Sequence, residues 1–550
     1  MKVLSAAEMQ TCDRMTTERF GVPSIQLMRN ASAAVARFSL QQFRGMQAAT
    51  VLCGRGNNGG DGMMAARLLD AAGVAVTVVL LGSPEDLKGD ASEAWRELQE
   101  TFCHVILIRD PADFHQHSDA LKTDLIVDAI LGTGFKPPMR GLALAALQWI
   151  KASSAPILAV DLPSGWPADD TRGITDNPVF PADAVITFTA PKPAHVFGQL
   201  TRRWSDPLVV APIGSPEEAI DSHLDLHWAG SAQALYQQLR PADSNKGKYG
   251  HVLVVGGSFG SAGGKAGAPA MTSMAALRVG AGLVTAAVPE PALPTVSRFA
   301  PELMTWPLKA NAAGQISPEN LAPHMIAAIS KGITVLAIGP GLGQSDDTAQ
   351  FCIGLLEATD IPTVIDADAL NILSQRLDLL SQLTKDGRTI VLTPHPGEMA
   401  RLAGINTKDV QANRLEVARG FAQKHGVTLV LKGAHTLIAH RDGRIAVNTT
   451  GNPGMAKGGS GDVLTGVVAG LLAQFPDDPP RAVEAAVHLH GLAAGLAVRE
   501  LDEHTLLATD SLGHFSSAFR FHSRRANGYV WLQGLPADYS EAKGSFEAAQ

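Results

Sequence analysis

Short apolar runs alternate with polar or alanine-rich stretches of helical length through most of this chain. Runs at 50–53, 74–81, 104–108, 124–130, 156–160, 184–189 and 208–211 read as strands, and the stretches between them read as helices. Ahead of them, apolar positions at helical spacing over 5–38, broken at the GVP of residues 21–23, predict two helices. A second alternation begins at Asn245 with a strand ending in Gly256 and Gly257, a glycine-rich turn, an alanine-rich helix and another strand. Runs at 333–338, 363–365, 389–392 and 427–431 then lead into GPGLG, DADAL, TPHPGEM and KGAHT. Such alternation specifies parallel sheets covered by helices, with ligands bound at the carboxyl ends of the strands. The expected fold is α/β in two domains, at 1–215 and 236–515, joined by a linker at 216–235; SAQALYQQL (231–239), which runs past the end of that linker, has helical spacing. Residues 516–550 are set apart as an extension, an aromatic strand with a polar tail.

Three strand ends of the first half carry polar, glycine-rich loops. GRGNNGGDG (54–62) follows a strand and opens a helix, the setting of a phosphate-cradling turn, but lacks the Gly-Lys-Ser/Thr of a Walker loop. DAILGTGFKPPMRG (128–141) and DLPSG (161–165) end two further strands on the same rim. Asn58, Asp128 and Ser164 offer hard oxygen donors, suited to an alkali cation rather than zinc. Asp161, at a strand tip, reads either as a general acid or base or as a turn cap.

In order and spacing these three loops resemble the NAD(P)H-hydrate epimerase domain, over roughly residues 1–215. The resemblance implies a Rossmann-like three-layer sandwich that interconverts the R and S hydrates. It also implies substrate contacts at Asn57, Asn58, Gly59, Gly60, Asp61 and Asp161, and at Gly132, Thr133, Gly134, Phe135, Lys136, Pro137 and Pro138. Potassium would sit at Asn58, Asp128 and Ser164, and position makes Asp161 the proton-transfer group. Trp166 stands where an aliphatic residue is expected, and its bulk would narrow the site.

In the second half, GNPGMAKGGSGDVLTG (451–466) places Gly458, Gly459 and Gly461 at the head of an apolar helix, with Asp462 in its first turn. Amides there face an anion with the helix dipole behind them, so Asp462 reads as a base or hydroxyl-positioning group beside a phosphate. The other reading is a glycine-rich connector whose aspartate is an N-terminal helix charge. Lys432 could neutralise phosphate and His395 could bond a sugar or amide, though a solvated lysine and a turn histidine are the plainer roles. Asp366 and Asp368 could position a cation, or cap a helix.

With GPGLG, TPHPGEM, LKGAHTLIA and NPGMAKGGSGDVLTG in order, roughly 236–515 resembles the ribokinase-like NAD(P)H-hydrate dehydratases, and the joined pair resembles the bifunctional repair enzymes. The resemblance implies a ribokinase-like three-layer sandwich with catalytic Asp462. Ala268, Gly343, His395 and Asp462 would surround the hydrate, and Lys432, Gly433, Ala434, His435, Thr436 and Gly461 the cosubstrate ADP. Mg²⁺ is expected to travel with the nucleotide.

Composition narrows the classes. A formal charge of −8 argues against a general nucleic-acid binder, and 45% apolar content over 550 residues supplies a large interior. Cys12, Cys53, Cys103 and Cys352 are scattered, suggesting neither zinc site nor disulfide framework. The start shows no secretory pattern and no run of about 18 apolar residues occurs, so a soluble cytoplasmic enzyme without membrane partners, assembled as a homo-oligomer, is expected. The loop after Val255 lacks G-x-G-x-x-G spacing, which disfavours hydride transfer. The competing readings are a ribokinase-like vitamin-precursor kinase and a non-catalytic nucleotide-binding first half.

Overall fold

The computed structural model describes residues 1–539 apart from Ile174 and Ala262; the end of the expected extension, 540–550, lies outside the described residues. The chain divides into two compact units, Met1–Leu226 with Ser523–Gln550, and His227–His522.

The first unit opens with the helices Ala6–Glu18 and Ser24–Gln42. Ser5 and Glu8 cap the first reciprocally: the Glu8 amide donates to Ser5 Oγ (3.2 Å) and the Ser5 amide to Glu8 Oε2 (2.8 Å). An eight-stranded sheet follows, with Val530–Gln533, Leu208–Ala211, Ala184–Phe188, Ile157–Val160, Leu125–Ala129, Ala48–Cys53, Ala75–Leu81 and His104–Ile108 in spatial order. Every pairing is parallel except that of Val530–Gln533 with Leu208–Ala211. The inner strands are Val, Ile and Leu runs buried along their whole length, as a sheet covered on both faces demands. Strand order reverses between Ala48–Cys53 and Leu125–Ala129, so their following loops diverge and leave a crevice. Gly54 and Gly59 make the crevice wall tight, since a Cβ on either would strike the carbonyl oxygen of Ile130 or of Gly54.

Val530–Gln533, read from sequence as part of an extension, is the edge strand of this sheet. The buried Tyr529 beside it donates its hydroxyl to the Ala34 carbonyl at 2.8 Å.

The second unit is built on a ten-stranded sheet ordered Met304–Leu308, Leu283–Pro289, His251–Val255, Val335–Ile338, Thr363–Ile365, Ile390–Leu392, Thr428–Leu431, Leu437–Ala439, Ile445–Val447 and Leu226–Trp228. The strands from Met304–Leu308 through Thr428–Leu431 are parallel, and the next two pairings are antiparallel. The reversal here lies between His251–Val255 and Val335–Ile338, the strands that run into the Gly256–Gly257 turn and GPGLG. Within the segment read as a linker, Leu226–Trp228 is a strand and Ala229–Leu235 forms 3₁₀ turns rather than the expected α-helix. Gly230 lies against the Trp228 ring, and the buried Ala229 and Ala232 flank it, which overrides the helical spacing. Helix Ser460–Gln474 packs on Gly267–Arg278 through Gly466, where a Cβ would strike the Thr272 carbonyl oxygen.

His488, on the helix Pro479–Ala497, is buried edge-on to Trp228, with ring centroids 5.5 Å apart. Its ring nitrogens have no partner among the described residues, and burial pushes its pKa down to about 4. The unfolded chain therefore binds the extra proton first, at about 6.5, and stability falls as pH drops from about 6.5 towards 4. His488→Leu is expected to flatten that part of the pH profile of unfolding free energy, measured by urea titration, relative to the parent chain.

Candidate active sites

At the reversal in the first sheet lies a cavity of about 1200 Å³. Asn57, Asn58, Asp61, Gly132, Thr133, Gly134, Phe135 and Asp161 line it, as do Asp13 and Lys192, to which no role was assigned from sequence. Gly59 and Gly60 serve packing instead, Gly59 against Gly54 and Gly60 against Met28 and Ala91. Lys136, Pro137 and Pro138 are exposed and do not line the cavity. Trp166 is buried against Gly198 and does not narrow it.

Asp161 sits at the tip of Ile157–Val160 with φ +66°, a left-handed conformation uncommon outside glycine and asparagine, which aims its carboxylate into a ring of donors. Oδ1 accepts from Lys192 Nζ and Thr187 Oγ1, both at 2.9 Å. Oδ2 accepts from the Thr133 amide at 2.8 Å and from the Thr133 hydroxyl. Burial alone would raise its pKa, but Lys192, His195 and these hydrogen bonds hold it well below the usual carboxylate range. Asp161 is therefore ionised at neutral pH and cannot be the resting proton donor. Asp61 goes the other way, pushed well up by burial and by the charges of Asp161, Asp13 and Asp90.

Asp128 and Ser164 are joined by Ser164 Oγ to Asp128 Oδ1 (2.6 Å) and the Ser164 amide to Oδ2 (2.8 Å). The Leu131 amide donates to Ser164 Oγ at 2.9 Å, and the adjacent Gly132 lies against the Asn58 side chain, so one loop draws the three residues together. Burial pushes Asp128 up to about 6, and both polar atoms of the Asn58 side chain are buried without a partner among the described residues.

In the second unit a cavity of about 310 Å³ is lined by Lys265, Ala268, Gly341, Ala367, Asp368, Asn371, Glu398 and Asp462. Gly459 (φ +99°) starts the helix that carries Asp462, with no side chain capping it, so its first turn is open to a ligand. Burial and the carboxylates of Asp366 and Asp368 push Asp462 up to about 6 against Lys432 and Lys265. Gly343 does not line the cavity; its amide donates to Oδ2 of Asp368, which does, at 2.9 Å. His395 caps the helix Pro396–Ala403, its Nδ1 accepting from the Gly397 amide at 3.0 Å, and does not line the cavity; Glu398 does.

Lys432 donates to Asp366 Oδ1 at 2.8 Å, with Glu398 Oε2 at 3.8 Å, and Thr465 Oγ1 donates to Asp366 Oδ2 at 2.7 Å. The lysine is thus held by carboxylates rather than solvated, and a Cβ on Gly461 would lie 3.4 Å from its Nζ. Beyond it Arg414 donates to the carbonyls of Ala434 and His435, and Thr436 Oγ1 to that of Gly433, fixing the KGAHT turn.

Over 521 residues the chain is 40% identical to the bifunctional NAD(P)H-hydrate repair enzyme Nnr of Moorella thermoacetica, covering 93% of this chain and 95% of that one. The chain belongs to the bifunctional NAD(P)H-hydrate repair enzyme family. It is also 34% identical to the Escherichia coli repair enzyme over 518 residues, 92% of this chain and 91% of that one. Residues 252–514 match the family model for NAD(P)H-hydrate dehydratase, and 24–194 that for the YjeF-related protein N-terminus. Among solved structures, an ADP/ATP-dependent NAD(P)H-hydrate dehydratase of Bacillus subtilis crystallised with ATP and Mg²⁺ is 31% identical, covering 52% of this chain and 96% of that one, with a TM-score of 0.43. The enzyme has NAD(P)H-hydrate epimerase and dehydratase activities.

Lys192 and Glu398 were missed from sequence, although each had a signal: APKP follows the Ala184–Phe188 strand, and Glu398 stands three residues after His395 in a capping box. Asp366→Ala would remove the direct partner of Lys432 and leave it with the more distant Glu398 and Asp462, and is expected to cost about 3–5 kcal/mol of second-unit stability in denaturant titration. A loss under about 1 kcal/mol would show that the pair is solvated.

Proposed function

We propose that Asp161 with Lys192 carries epimerisation in the first unit, and that Asp462 starts an ADP-dependent dehydration of the S hydrate in the second. In the first unit the ring-nitrogen lone pair forms a nitrogen–carbon double bond as the carbon–oxygen bond breaks. The departing oxygen takes a proton from the Lys192 ammonium, and water adding to the opposite face returns one, inverting the centre. Asp161, kept anionic, orients the lysine and accepts from the water. Of the acid and base roles open to Asp161 from sequence, this reading takes the base.

Potassium fits Asn58, Asp128 and Ser164: all three offer hard oxygens, Asn58 has unpartnered buried polar atoms, and Asp128 is a buried carboxylate that a cation would favour ionised. When bound it would supply a fixed positive charge that stiffens the rim.

In the second unit Asp462 removes the proton of the substrate hydroxyl as that oxygen attacks the terminal phosphorus of ADP; the bond to AMP breaks. Amides around Gly459–Gly461 meet the moving charge, and Lys432 with the KGAHT turn would hold the nucleotide. Phosphate then leaves under the nitrogen's push and a proton is lost from the neighbouring carbon, restoring NAD(P)H with AMP and phosphate released. Among the described residues no group of three or more His, Cys, Asp or Glu could hold a metal ion, so Mg²⁺ would arrive on the nucleotide phosphates. The observation that carries this reading is a near-neutral carboxylate beside an uncapped helix start. No helix among the described residues is long and apolar enough to cross a membrane. Action in the cytoplasm on small molecules, as a homo-oligomer, completes the reading.

Asp462→Asn is expected to lower kcat for ADP-dependent dehydration about 10²-fold or more while epimerisation continues. In the parent enzyme the dehydration rate should fall as pH drops through about 6, the pKa of the base. Asp161→Ala should bring epimerisation close to the spontaneous rate; an unchanged rate would remove Asp161 from the reaction.

A further inference from the structure

The first-unit cavity extends well past the reacting end. Asp161 and Lys192 follow the strands Ile157–Val160 and Ala184–Phe188, on one side of the strand-order reversal. On the other side the same cavity is walled by Gly82, Ser83 and Asp86 after the strand Ala75–Leu81, by Arg109 after His104–Ile108, and by Arg55 in the loop after Ala48–Cys53. A dinucleotide lying across such a reversal puts its two halves on opposite sides, and the adenosine ribose falls by the end of the second strand.

The groups at that end suit a ribose edge. Arg109 Nε donates to Ser83 Oγ at 2.9 Å, and Arg55 Nη1 lies 3.6 Å from Asp86 Oδ2, so both guanidiniums are oriented while still exposed. Gly82 (φ +134°) makes room for Arg55: a Cβ there would lie 2.8 Å from Arg55 Cδ. Asp86 also accepts from the Ser83 amide at 3.3 Å, which ties the loop to the carboxylate. Asp90, on the same wall, stands in the first turn of the helix Asp90–Leu98, where the helix dipole offsets its charge.

We propose that Arg55 and Arg109, set by Asp86 and Ser83, form the subsite for the 2′-phosphate of hydrated NADPH in the first unit. Asp86 serves the alternative substrate, accepting from the free 2′-hydroxyl of hydrated NADH. A phosphomonoester carries about two negative charges, which the arginines neutralise in part and Asp86 opposes. The subsite thus sets the ratio of the two substrates without touching the reacting carbon. The inference rests on the epimerase reading of the Asp161–Lys192 end.

The test is epimerisation of NADPH hydrate and NADH hydrate by the full chain without ADP, so that dehydration is silent, followed by chromatography of the R and S forms. Both substrates turning over above the spontaneous rate in the parent chain supports the epimerase reading, independently of the subsite. Arg109→Ala, with Arg55→Ala as a second variant, should lower the kcat/KM ratio of NADPH hydrate to NADH hydrate about tenfold or more, the loss of a charge-assisted contact. Asp86→Asn should shift the ratio the opposite way, which misfolding or general loss of activity would not do. Ratios within twofold of the parent in all three variants, or shifts of one sign throughout, would overturn the subsite.

Discussion

Each candidate site rests on a lysine and an aspartate taken out of water together at the carboxyl end of a parallel sheet, Asp161 with Lys192 at 2.9 Å and Asp366 with Lys432 at 2.8 Å. Neither charge could be buried singly, because desolvation would neutralise it. As pairs, braced by Thr187 and Thr133 in one case and by Thr465 and Glu398 in the other, they remain as fixed dipoles, the first lining its crevice and the second beside Glu398, which lines the other. The crevices exist because strand order reverses beside them, and their walls close up because glycines at 54, 59 and 466 let backbone meet backbone.

The two pairs are placed differently. In the first unit the aspartate faces the cavity itself, which suits a reaction that moves only a proton and water. In the second unit neither Asp366 nor Lys432 lines the cavity; a separate carboxylate, Asp462, does, and its pKa is raised to about 6. A base near neutrality beside an open helix start suits phosphoryl transfer to a hydroxyl. On the proposed mechanism the same leaving oxygen departs as water from one site and as phosphate from the other. The family's pairing of epimerase with dehydratase acquires a chemical sense: one site supplies the epimer that the other consumes.

Much of this was legible in the sequence because strands buried on both faces read as plain apolar runs and their glycine-rich ends mark turns. The loops at 54–62, 128–141 and 451–466 stand out for that reason. What the sequence concealed was side-chain direction and long-range partnership. Nothing local says that Lys192 turns back 31 residues to Asp161, or that Asp366 reaches Thr465, 99 residues on. Gly59 and Gly60 lie inside a motif but pack against Gly54 and against Met28 and Ala91, and His395 spends one ring nitrogen on a cap. The strand Val530–Gln533 is short and far from its neighbours in sequence, and only closure of the sheet edge gives it a place.

The central claim is that the hydroxyl of the S hydrate is lost as phosphate at Asp462. It is tested most directly with S hydrate carrying ¹⁸O in that hydroxyl, in a single turnover with ADP and excess Asp161→Ala enzyme, which limits exchange by epimerisation. Mass spectrometry should find the label in the released inorganic phosphate. Label in water, with unlabelled phosphate, would contradict the account.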